Sequence, residues 1–386
     1  MIWAEPASAG SEPAPGAMAR TGPDGSAPEP IGVVGTGLIG TSLALAAARL
    51  GHPVRGYDAD QDVLARAARR AGFEAARSAQ ICARGAGLVF VCTPVPEIAA
   101  AAALCLSADP GALVTDVGSV KTQVMVEVEG TAGDAASRFV GGHPLAGSER
   151  SGPEHAAAAL FDGAAWVLTP REAQSREAAR LSDWVRSIGS RPVVMDADRH
   201  DRLVAVVSHL PQAVSSALMV LAAREHALEP DLLDLSAGGF RDLTRLAASS
   251  PPLWAEILRA NRQAVIPALD RFVEALQEMR QALERKDPGS LEALLGEARE
   301  ARRALSTKPH VRAGVAVFQV AIPDRPGSLA SLTGSLAGSD VNIEDLQIVH
   351  SVEGGRGTAH LTVAAGLADR ASRALEASGF DPVRLA

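Results

Sequence analysis

The stretch "IGVVGTGLIGTSLALAAARLG", residues 31–51, decides the fold of this chain. Its first residues are apolar and predict a short buried strand, and its alanine-rich remainder predicts a helix. Between them lies GTGLIG, residues 35–40, which has the spacing G-x-G-x-x-G at a strand-to-helix turn. There the first glycine permits the tight turn, the second lets a pyrophosphate approach, and the third lets the helix pack on the strand. The stretch therefore predicts a dinucleotide-binding unit.

The residues predicted to bind the dinucleotide lie on three loops. Asp58 ends the second predicted strand, 23 residues after Gly35. A carboxylate there can accept hydrogen bonds from the ribose hydroxyls and would repel a 2′-phosphate, which favours NAD over NADP. "CTPVP", residues 92–96, follows the third strand and is either a wall of the cofactor site or an ordinary proline-rich turn. The predicted cofactor-binding residues are Gly35, Thr36, Gly37, Leu38, Ile39, Gly40, Asp58, Thr93 and Pro94.

Short apolar strands alternate with helices as far as residue 195. This pattern predicts an α/β fold with a parallel, doubly wound sheet of the Rossmann type. Such sheets bind their ligands at the carboxyl ends of the strands. The predicted strands are 31–35, 53–58, 88–92, 112–116, 138–142, 165–169 and 191–195, with helices at 60–71 and 172–188 among the connections.

Two loops at this edge of the sheet carry candidate catalytic side chains. "DVGSVK", residues 116–121, contains Ser119, and "GGHPLAGSERSG", residues 141–152, contains His143. The two loops follow neighbouring strands, so both side chains are expected close to the point of hydride transfer. The alternatives are a helix-capping serine and a loop histidine without a role. The histidines show no HExxH spacing and the cysteines no CxxC spacing, so we expect no metal site.

Long amphipathic helices follow residue 196. His200 and His209 are nine residues apart, which places them on opposite faces of a straight helix. Pro211 cannot donate to the carbonyl of Val207 and should kink the helix. The two histidines are then expected to converge only if His200 lies before or at the start of the helix.

The segment "GGFRDLTRLAASSPPLW" contains a candidate anion-binding arginine. Arg241 and Arg245 are four residues apart and are expected on one helical face. An arginine that follows a glycine pair, with Trp254 closing the segment, is a candidate for a two-pronged bond to a carboxylate.

Composition sets the class of protein. The chain has 386 residues, 47% of them hydrophobic, and a net charge of −8, which argues against binding to nucleic acid or to an anionic membrane. Cys82, Cys92 and Cys105 are expected as free thiols in a reducing compartment, which indicates the cytoplasm. Residues 1–29 are predicted to be a disordered tail without the features of a signal peptide. We expect no membrane span.

Several spaced motifs together resemble the prephenate/arogenate dehydrogenases of tyrosine biosynthesis. They are GTGLIG, DVGSVK, GGHPLAG-S-E-x-S-G, HD with SHLP, and GGFRDLTR followed after eight intervening residues by a tryptophan, and they cover residues 31–305. The resemblance implies a Rossmann domain joined to an all-helical dimerisation domain. By position it implies that His143 is the catalytic histidine and Ser119 the serine beside it. It also implies a group of substrate-binding residues, with the tryptophan near the dimer interface: Arg245, His200, His209, Gln212, Ser148 and Trp254. Gln212 departs from the family pattern, because many relatives carry a histidine there.

The implied reaction oxidises and decarboxylates prephenate to 4-hydroxyphenylpyruvate. A neutral His143 can accept the hydroxyl proton, and Arg245 can hold a carboxylate. The alternative substrate, arogenate, carries an amino group in place of the keto group. Ser148 offers no negative charge to an ammonium, which favours prephenate, but the adjacent Glu149 could reverse this.

A third unit follows a polar linker. Its pattern predicts β-α-β-β-α-β, a ferredoxin-like plan. "DRPGSLA" and "NIEDL" resemble an ACT domain, a regulatory module that binds amino acids, although a purely structural appendage is the alternative. The resemblance implies tyrosine as effector and a homodimer or tetramer. The implied effector-binding residues are Asp324, Pro326, Gly327, Asn342 and Ile343, with the backbone N–H groups of the turn at 326–327 available to a carboxylate. The expected domains are 1–29, 30–195, 196–305 and 313–386.

Three other classes of protein share parts of this pattern. Phosphoglycerate dehydrogenases can also end in an ACT domain, but their glycine loop does not lie near residue 35. β-Hydroxyacid dehydrogenases need an active-site lysine in the helical domain, whereas Lys286 is expected at a solvated helix end. A sensor without catalysis would keep the glycines but would not keep Ser119, His143 and Arg245 together.

Overall fold

The computed structural model describes residues 28–147, 150–306, 314–323, 325–350 and 356–385. These residues form two compact units. The first contains the residues up to Val214 together with Leu246–Leu269, and the second contains Ser215–Arg245 and the residues from Asp270 onward.

The first unit is built on an eight-stranded sheet of the predicted Rossmann type. Its strands are β1 Ile31–Val34, β2 Val54–Tyr57, β3 Glu74–Ala75, β4 Leu88–Val91, β5 Leu113–Asp116, β6 Phe139–Pro144, β7 Ala165–Thr169 and β8 Arg191–Val194. Their order is β3-β2-β1-β4-β5-β6-β7-β8.

One strand pair corrects the prediction of a wholly parallel sheet. β6 and β7 are antiparallel, whereas every other neighbouring pair is parallel. Among the described residues that connect these two strands, the only helical segment is a short 3-10 turn at Pro153–His155. A parallel return needs a crossover connection, usually a full helix, so the chain turns back antiparallel.

Helices cover the sheet and bury its apolar side chains. They are α1 Leu38–Arg49, α2 Gln61–Ala71, α3 Ala79–Ala83, α4 Val95–Ala108, α5 Thr122–Ala132 and α6 Ser175–Ser187. One core cluster contains Ile98 and Phe139, and the other contains Leu43, Phe90 and Trp166. Each large apolar side chain buried in this way contributes about 1.5–3 kcal/mol. The core fixes the sheet, and with it the edge that carries the candidate site.

A long helical stretch begins at residue 197 and changes its winding midway. α7 Ala197–Val204 runs into a π-helical turn, Ala205–His209, and then into α8 Leu210–His226. Because Pro211 has no N–H for the carbonyl of Val207, the ordinary hydrogen-bond pattern is interrupted where the π turn lies. The remaining helices are α9 Gly238–Thr244, α10 Pro251–Ala260, α11 Arg262–Glu284 and α12 Pro288–Ser306, with a 3-10 turn at Arg245–Ala248.

By its length and apolar composition alone, the helical stretch Ala197–His226 could cross a membrane. Its side chains indicate a different environment. His200, Asp201 and His209 are buried and hydrogen-bonded to other residues of the first unit. Buried polar groups with such partners are usual in a protein core, so the part of the stretch that carries these three residues packs against protein.

Residues 315–384 form the predicted β-α-β-β-α-β arrangement. Its elements are β9 Val315–Pro323, α13 Ser328–Ala337, β10 Asp345–His350, β11 Arg356–Ala364, α14 Ala368–Ala377 and β12 Pro382–Arg384. The four strands form an antiparallel sheet in the order β10-β11-β9-β12. Phe318, Val320, Leu336 and Leu361 belong to its core. The alternation of buried and partly exposed residues along β9 shows that one face of the sheet meets the helices.

Candidate active site

The glycine loop has the geometry that its sequence predicts. Gly35 has φ +91°, and a Cβ on it would lie 2.6 Å from the carbonyl carbon of Cys92. A Cβ on Gly40 would lie 1.9 Å from the carbonyl oxygen of Gly35, so the helix packs too closely for any side chain. A Cβ on Gly37 would meet nothing within 4 Å. The first and third glycines are therefore required by the fold, and the second leaves open space before α1, where a phosphate can meet backbone N–H groups.

Asp58 is held against this loop. One oxygen of its carboxylate accepts hydrogen bonds from the N–H of Thr36 at 2.6 Å and from its hydroxyl at 3.2 Å. The other oxygen accepts the N–H of Asp60 at 3.0 Å. On the neighbouring loop, the Thr93 hydroxyl is buried and has no hydrogen-bond partner among the described residues. The carboxylate of Asp58, the hydroxyl of Thr93 and the N-terminus of α1 together fit a dinucleotide.

His143 lies in a strand, which corrects the prediction that it belongs to a loop. β6 extends through Pro144 because its antiparallel pairing with β7 places His143 opposite Val167. Its Nδ1 lies 2.8 Å from Nε2 of His200, and the two rings are nearly perpendicular, at 77°. The catalytic candidate is therefore placed by the sheet itself.

Asp201 completes a chain of three side chains, His143–His200–Asp201. Nδ1 of His200 lies 2.8 Å from Oδ1 of Asp201. An ionised carboxylate can only accept, so Nδ1 of His200 carries a hydrogen, and its Nε2 can accept from Nδ1–H of His143. The remaining nitrogen of His143, Nε2, then holds a lone pair. The chain thus fixes His143 as a proton acceptor.

The surroundings of His143 and Asp201 also favour a neutral His143 and an ionised Asp201. Burial lowers the pKa of His143 well below its ordinary value, and the nearby His200, Lys121 and His209 lower it further. Burial alone would raise the pKa of Asp201, but hydrogen bonds from His200 and from the backbone N–H groups of Lys121 and Thr122 hold it below its ordinary value. At neutral pH His143 is neutral and Asp201 is ionised.

A buried ion pair holds the strand that carries His143. Lys121 and Asp116 are fully buried and paired with each other. Nζ of Lys121 donates to the carbonyl of Gly142 at 2.8 Å, and Asp116 accepts the N–H of Gly142 at 3.0 Å. Asp116 also accepts the N–H of Gly118 at 2.8 Å. The pair therefore fastens the loop 116–121 to the residue before His143.

His209 approaches the same region through the π turn. Its Nδ1 lies 3.0 Å from Nδ2 of Asn261, and the same Nδ2 lies 2.9 Å from the carbonyl oxygen of Asp201. The His209 ring meets the edge of Trp254, with 6.1 Å between ring centroids. The two histidines thus converge on Asp201 and Asn261 although His200 lies inside α7, because the π turn changes the phase of the helix. The expectation that the histidines converge only if His200 lies before or at the start of the helix is wrong, because His200 is the fourth residue of α7.

Ser119, predicted as a catalytic residue, and Gln212, predicted as a substrate-binding residue, are also found in the first unit. Ser119 is partly buried, and among the described residues its hydroxyl has no hydrogen-bond partner. The orienting contact that the structure gives to His143 comes from His200. Gln212 is buried, and its Nε2 donates to the carbonyl of Leu246 at 2.9 Å. The NH2 group of Gln212 is therefore bonded within the first unit.

The other predicted residues are placed as follows. α9 ends at Thr244, and Arg245 is exposed at the start of the 3-10 turn, so only Arg241 lies within that helix. Ser148 and Asp324 lie outside the described residues. Among the residues that the structure does describe, no group of three or more histidine, cysteine or acidic side chains could hold a metal.

The predicted effector residues separate into two groups in the second unit. Pro326 and Gly327 line a cavity of about 200 Å³. The N–H of Ser328, which follows them, donates to the carbonyl of Arg325, so this group is not free for a ligand. Asn342 donates to Glu344 at 2.8 Å, and Ile343 packs against the core.

Sequence reasoning missed Asp116, Lys121, Asp201 and Asn261. Asp116 and Lys121 are the first and last residues of the DVGSVK motif, and Asp201 directly follows His200. Lys121 carried a further signal, since it is one of only three lysines in a chain whose other basic side chains are arginines. A lysine at a buried position, in a chain that otherwise uses arginine, indicates that its side chain has a specific partner.

A dinucleotide cradle and a fixed proton acceptor in one Rossmann-type unit define a nicotinamide-dependent dehydrogenase that oxidises an alcohol. Residues 42–194 match the family model of the prephenate dehydrogenase nucleotide-binding domain, and residues 196–297 match that of the prephenate dehydrogenase dimerization domain. The prephenate dehydrogenase of Bacillus subtilis is 31% identical over 83% of this chain and 88% of its own length. The chain belongs to the prephenate dehydrogenase family.

Two dehydrogenases are among the solved structures that are similar to this one. The prephenate dehydrogenase of A. aeolicus, in complex with hydroxyphenyl propionate and NAD+, is 30% identical, with a TM-score of 0.67 over 72% of this chain and 98% of its own. The arogenate dehydrogenase of Synechocystis is 31% identical, with a TM-score of 0.64 over 72% of this chain and 99% of its own. The chain is an NAD-dependent dehydrogenase of a small molecule, and it oligomerises through its dimerization domain.

Proposed function

We propose that this enzyme oxidises and decarboxylates prephenate to 4-hydroxyphenylpyruvate in L-tyrosine biosynthesis, with His143 as the proton acceptor. The observation that carries the proposal is the chain His143–His200–Asp201, because it leaves Nε2 of His143 as an acceptor. Neutral imidazole within hydrogen-bond reach of a hydroxyl is the usual general base for such a step.

The protein's own part in the reaction is the transfer of one proton to and from His143. NAD, when bound, supplies the acceptor for the hydride that leaves the hydroxyl-bearing ring carbon. Nε2 of His143 accepts the hydroxyl proton as that carbon becomes a carbonyl. The ring carboxylate then leaves as carbon dioxide, its electron pair completes the aromatic ring, and His143 returns the proton to the phenolic oxygen. The proton taken up is thus given back within one turnover.

The remaining site residues are proposed to bind the substrate. Ser119 would contact the ring hydroxyl, and Arg245 would hold a carboxylate through both prongs of its guanidinium. His200, His209, Gln212, Ser148 and Trp254 are proposed to line the pocket.

The test of this reaction is its stoichiometry. With prephenate and NAD we expect NADH, carbon dioxide and 4-hydroxyphenylpyruvate in equal amounts. NADH formation without release of carbon dioxide would contradict the assignment. A second candidate reaction is the oxidation of arogenate to tyrosine. Its support is the similarity to the arogenate dehydrogenase of Synechocystis.

Asp58 is proposed to set the cofactor preference. Asp58→Asn keeps an oxygen for the N–H of Thr36 but removes the charge that repels a 2′-phosphate. We expect the ratio of kcat/KM for NAD to that for NADP to fall about tenfold, the effect of roughly one charged contact. The measurement is steady-state kinetics with both cofactors, and Asp62→Asn, an exposed carboxylate in the first turn of α2, is the matched control. A wild-type enzyme that is already faster with NADP would contradict the role of Asp58.

The ferredoxin-like unit is proposed to be an ACT domain that binds tyrosine. The cavity of about 200 Å³ beside Pro326 and Gly327 supports this, since it lies where an amino acid is expected. Tyrosine must bind the less active arrangement more tightly, with a coupling of about 1–3 kcal/mol.

Two variants separate this regulation from competition at the active site. Leu329 lines the cavity and is exposed, so the larger side chain in Leu329→Trp would fill the cavity. A chain that ends at Ser306 would lack the ferredoxin-like unit altogether. We expect both to lose most of the inhibition by tyrosine and to keep the substrate KM. If both stay as sensitive as the full chain, tyrosine acts at the active site.

The assembly is proposed to be a homodimer or tetramer in the cytoplasm. Val206 and Val207 are exposed on the helical stretch that follows residue 197, at 46% and 70%, and a partner subunit would cover them. All three cysteines are free, which fits a reducing compartment.

A further inference from the structure

We propose that Asn261 is a positioning residue that holds His209 as a neutral imidazole with its proton on Nε2. His209 would then be a fixed hydrogen-bond donor in a pocket where His143 is a fixed acceptor. The assignment of a partner for this donor rests on the proposed function, whereas the tautomer itself does not.

The contacts of Asn261 settle which of its atoms faces each neighbour. Nδ2 lies 2.9 Å from the carbonyl oxygen of Asp201 and 3.0 Å from Nδ1 of His209. A backbone carbonyl only accepts, so the amide group that faces it must be the NH2 group. That group has two hydrogens, and the second is directed to His209. Nδ1 of His209 therefore accepts, and its proton lies on Nε2.

Burial keeps this arrangement neutral. Asn261 is 3% exposed and His209 is 1% exposed. The titratable groups that act on His209 are Asp201 and His200 from α7, and it faces His143 of β6. Burial lowers the pKa of His209 to about 4, although the charge of Asp201 opposes this shift. Across the neutral range, His209 presents an N–H without a positive charge.

Asp201 thereby gives Nε2 of His143 and Nε2 of His209 opposite hydrogen-bonding roles. Its carboxylate sets His200 and, through it, leaves Nε2 of His143 as an acceptor. Its backbone carbonyl sets Asn261 and, through it, makes Nε2 of His209 a donor. This leaves the N–H at Nε2 of His209 to donate. The partner that suits it is an oxygen acceptor on the substrate, a carboxylate or a keto group, and an ammonium group would be repelled.

A mutant cycle tests whether Asn261 acts through His209. We expect Asn261→Ala to raise the KM for prephenate about tenfold, the worth of roughly one hydrogen bond to a charged group, with kcat and the KM for NAD much less affected. His209→Gln keeps an N–H donor but has no tautomer to set. In that background, we expect Asn261→Ala to add less than twofold. An equal effect in both backgrounds would overturn the proposal, because Asn261 would then act on the fold and not on His209.

Asn261→Asp keeps the shape of the side chain and serves if the alanine variant does not fold. A carboxylate beside Nδ1 favours imidazolium, so the pKa of His209 should rise from about 4 toward neutrality. We expect the KM for prephenate to become dependent on pH between about 5 and 8, the range over which an imidazole with such a raised pKa titrates. A profile as flat as that of the wild type would count against the proposal.

The tautomer can be read without any turnover. Long-range 1H–15N spectra of the full chain with 15N-labelled histidine report which ring nitrogen carries the proton, and His209→Gln assigns the signal. Protonation of Nδ1 would overturn the proposal whatever the enzyme oxidises. Protonation of Nε2 in a protein that does not oxidise prephenate would leave the tautomer established and the proposed function wrong.

Discussion

His143→Asn is expected to lower kcat by about 10²–10⁴-fold, the usual range for loss of a general base. Asparagine fits the strand position but cannot accept a proton at neutral pH. The KM for NAD should change little, because Asp58 and the glycine loop are held by hydrogen bonds to each other. The measurement is steady-state NADH formation with saturating prephenate, together with NAD binding by fluorescence.

His155→Asn is the matched control, since His155 is an exposed histidine in the 3-10 turn after β6. It should retain wild-type turnover. In the wild type, the lowered pKa of His143 predicts a kcat that is constant through neutral pH and falls only well below pH 6.5, where the base becomes protonated. Turnover of His143→Asn within a fewfold of the wild type would show that another group accepts the proton.

Asp201→Asn is expected to lower kcat by about 10²–10³-fold through the wrong tautomer, as when a triad aspartate is replaced by asparagine. The carboxamide NH2 can donate to Nδ1 of His200 when it takes the place of Oδ1, with loss of the bond that Oδ1 accepts from the N–H of Lys121. His200 then carries its proton on Nε2 and donates to Nδ1 of His143, which leaves the proton of His143 on Nε2. The catalytic nitrogen would then be a donor and could no longer take the hydroxyl proton.

The control for this variant is Asp198→Asn, an exposed carboxylate in the first turn of the same helix. Thermal unfolding should accompany the kinetics, since Asp201 also accepts two backbone N–H groups at the start of α5. A stable Asp201→Asn protein with near wild-type kcat would contradict the account of the three-residue chain.

The sheet was predictable because its signals are local. Strands such as β4 are short apolar runs between glycine- and proline-containing turns, and the G-x-G-x-x-G loop marks where the first one ends. The antiparallel return of β7 was not predictable in this way, because strand direction depends on pairing between residues far apart in sequence. The same pairing moved His143 from an expected loop into β6.

The candidate site was only partly predictable. His143 and His200 were found by residue type and motif, but the bond between them spans 57 positions in sequence. The convergence of His209 depends on a π turn, which no simple periodicity indicates. Asn261 had no sequence signal, since an asparagine near a helix end is ordinarily a cap or a solvated residue.

The central claim, an NAD-dependent oxidation of prephenate, is tested most directly by one set of parallel assays. Initial rates are measured with prephenate and with arogenate, each with NAD and with NADP, on the full chain. The account predicts the highest kcat/KM for prephenate with NAD, at least about tenfold above arogenate with NAD, since an ammonium group facing a fixed N–H donor loses roughly one charged hydrogen bond. A higher kcat/KM for arogenate, or for NADP with either substrate, would contradict it.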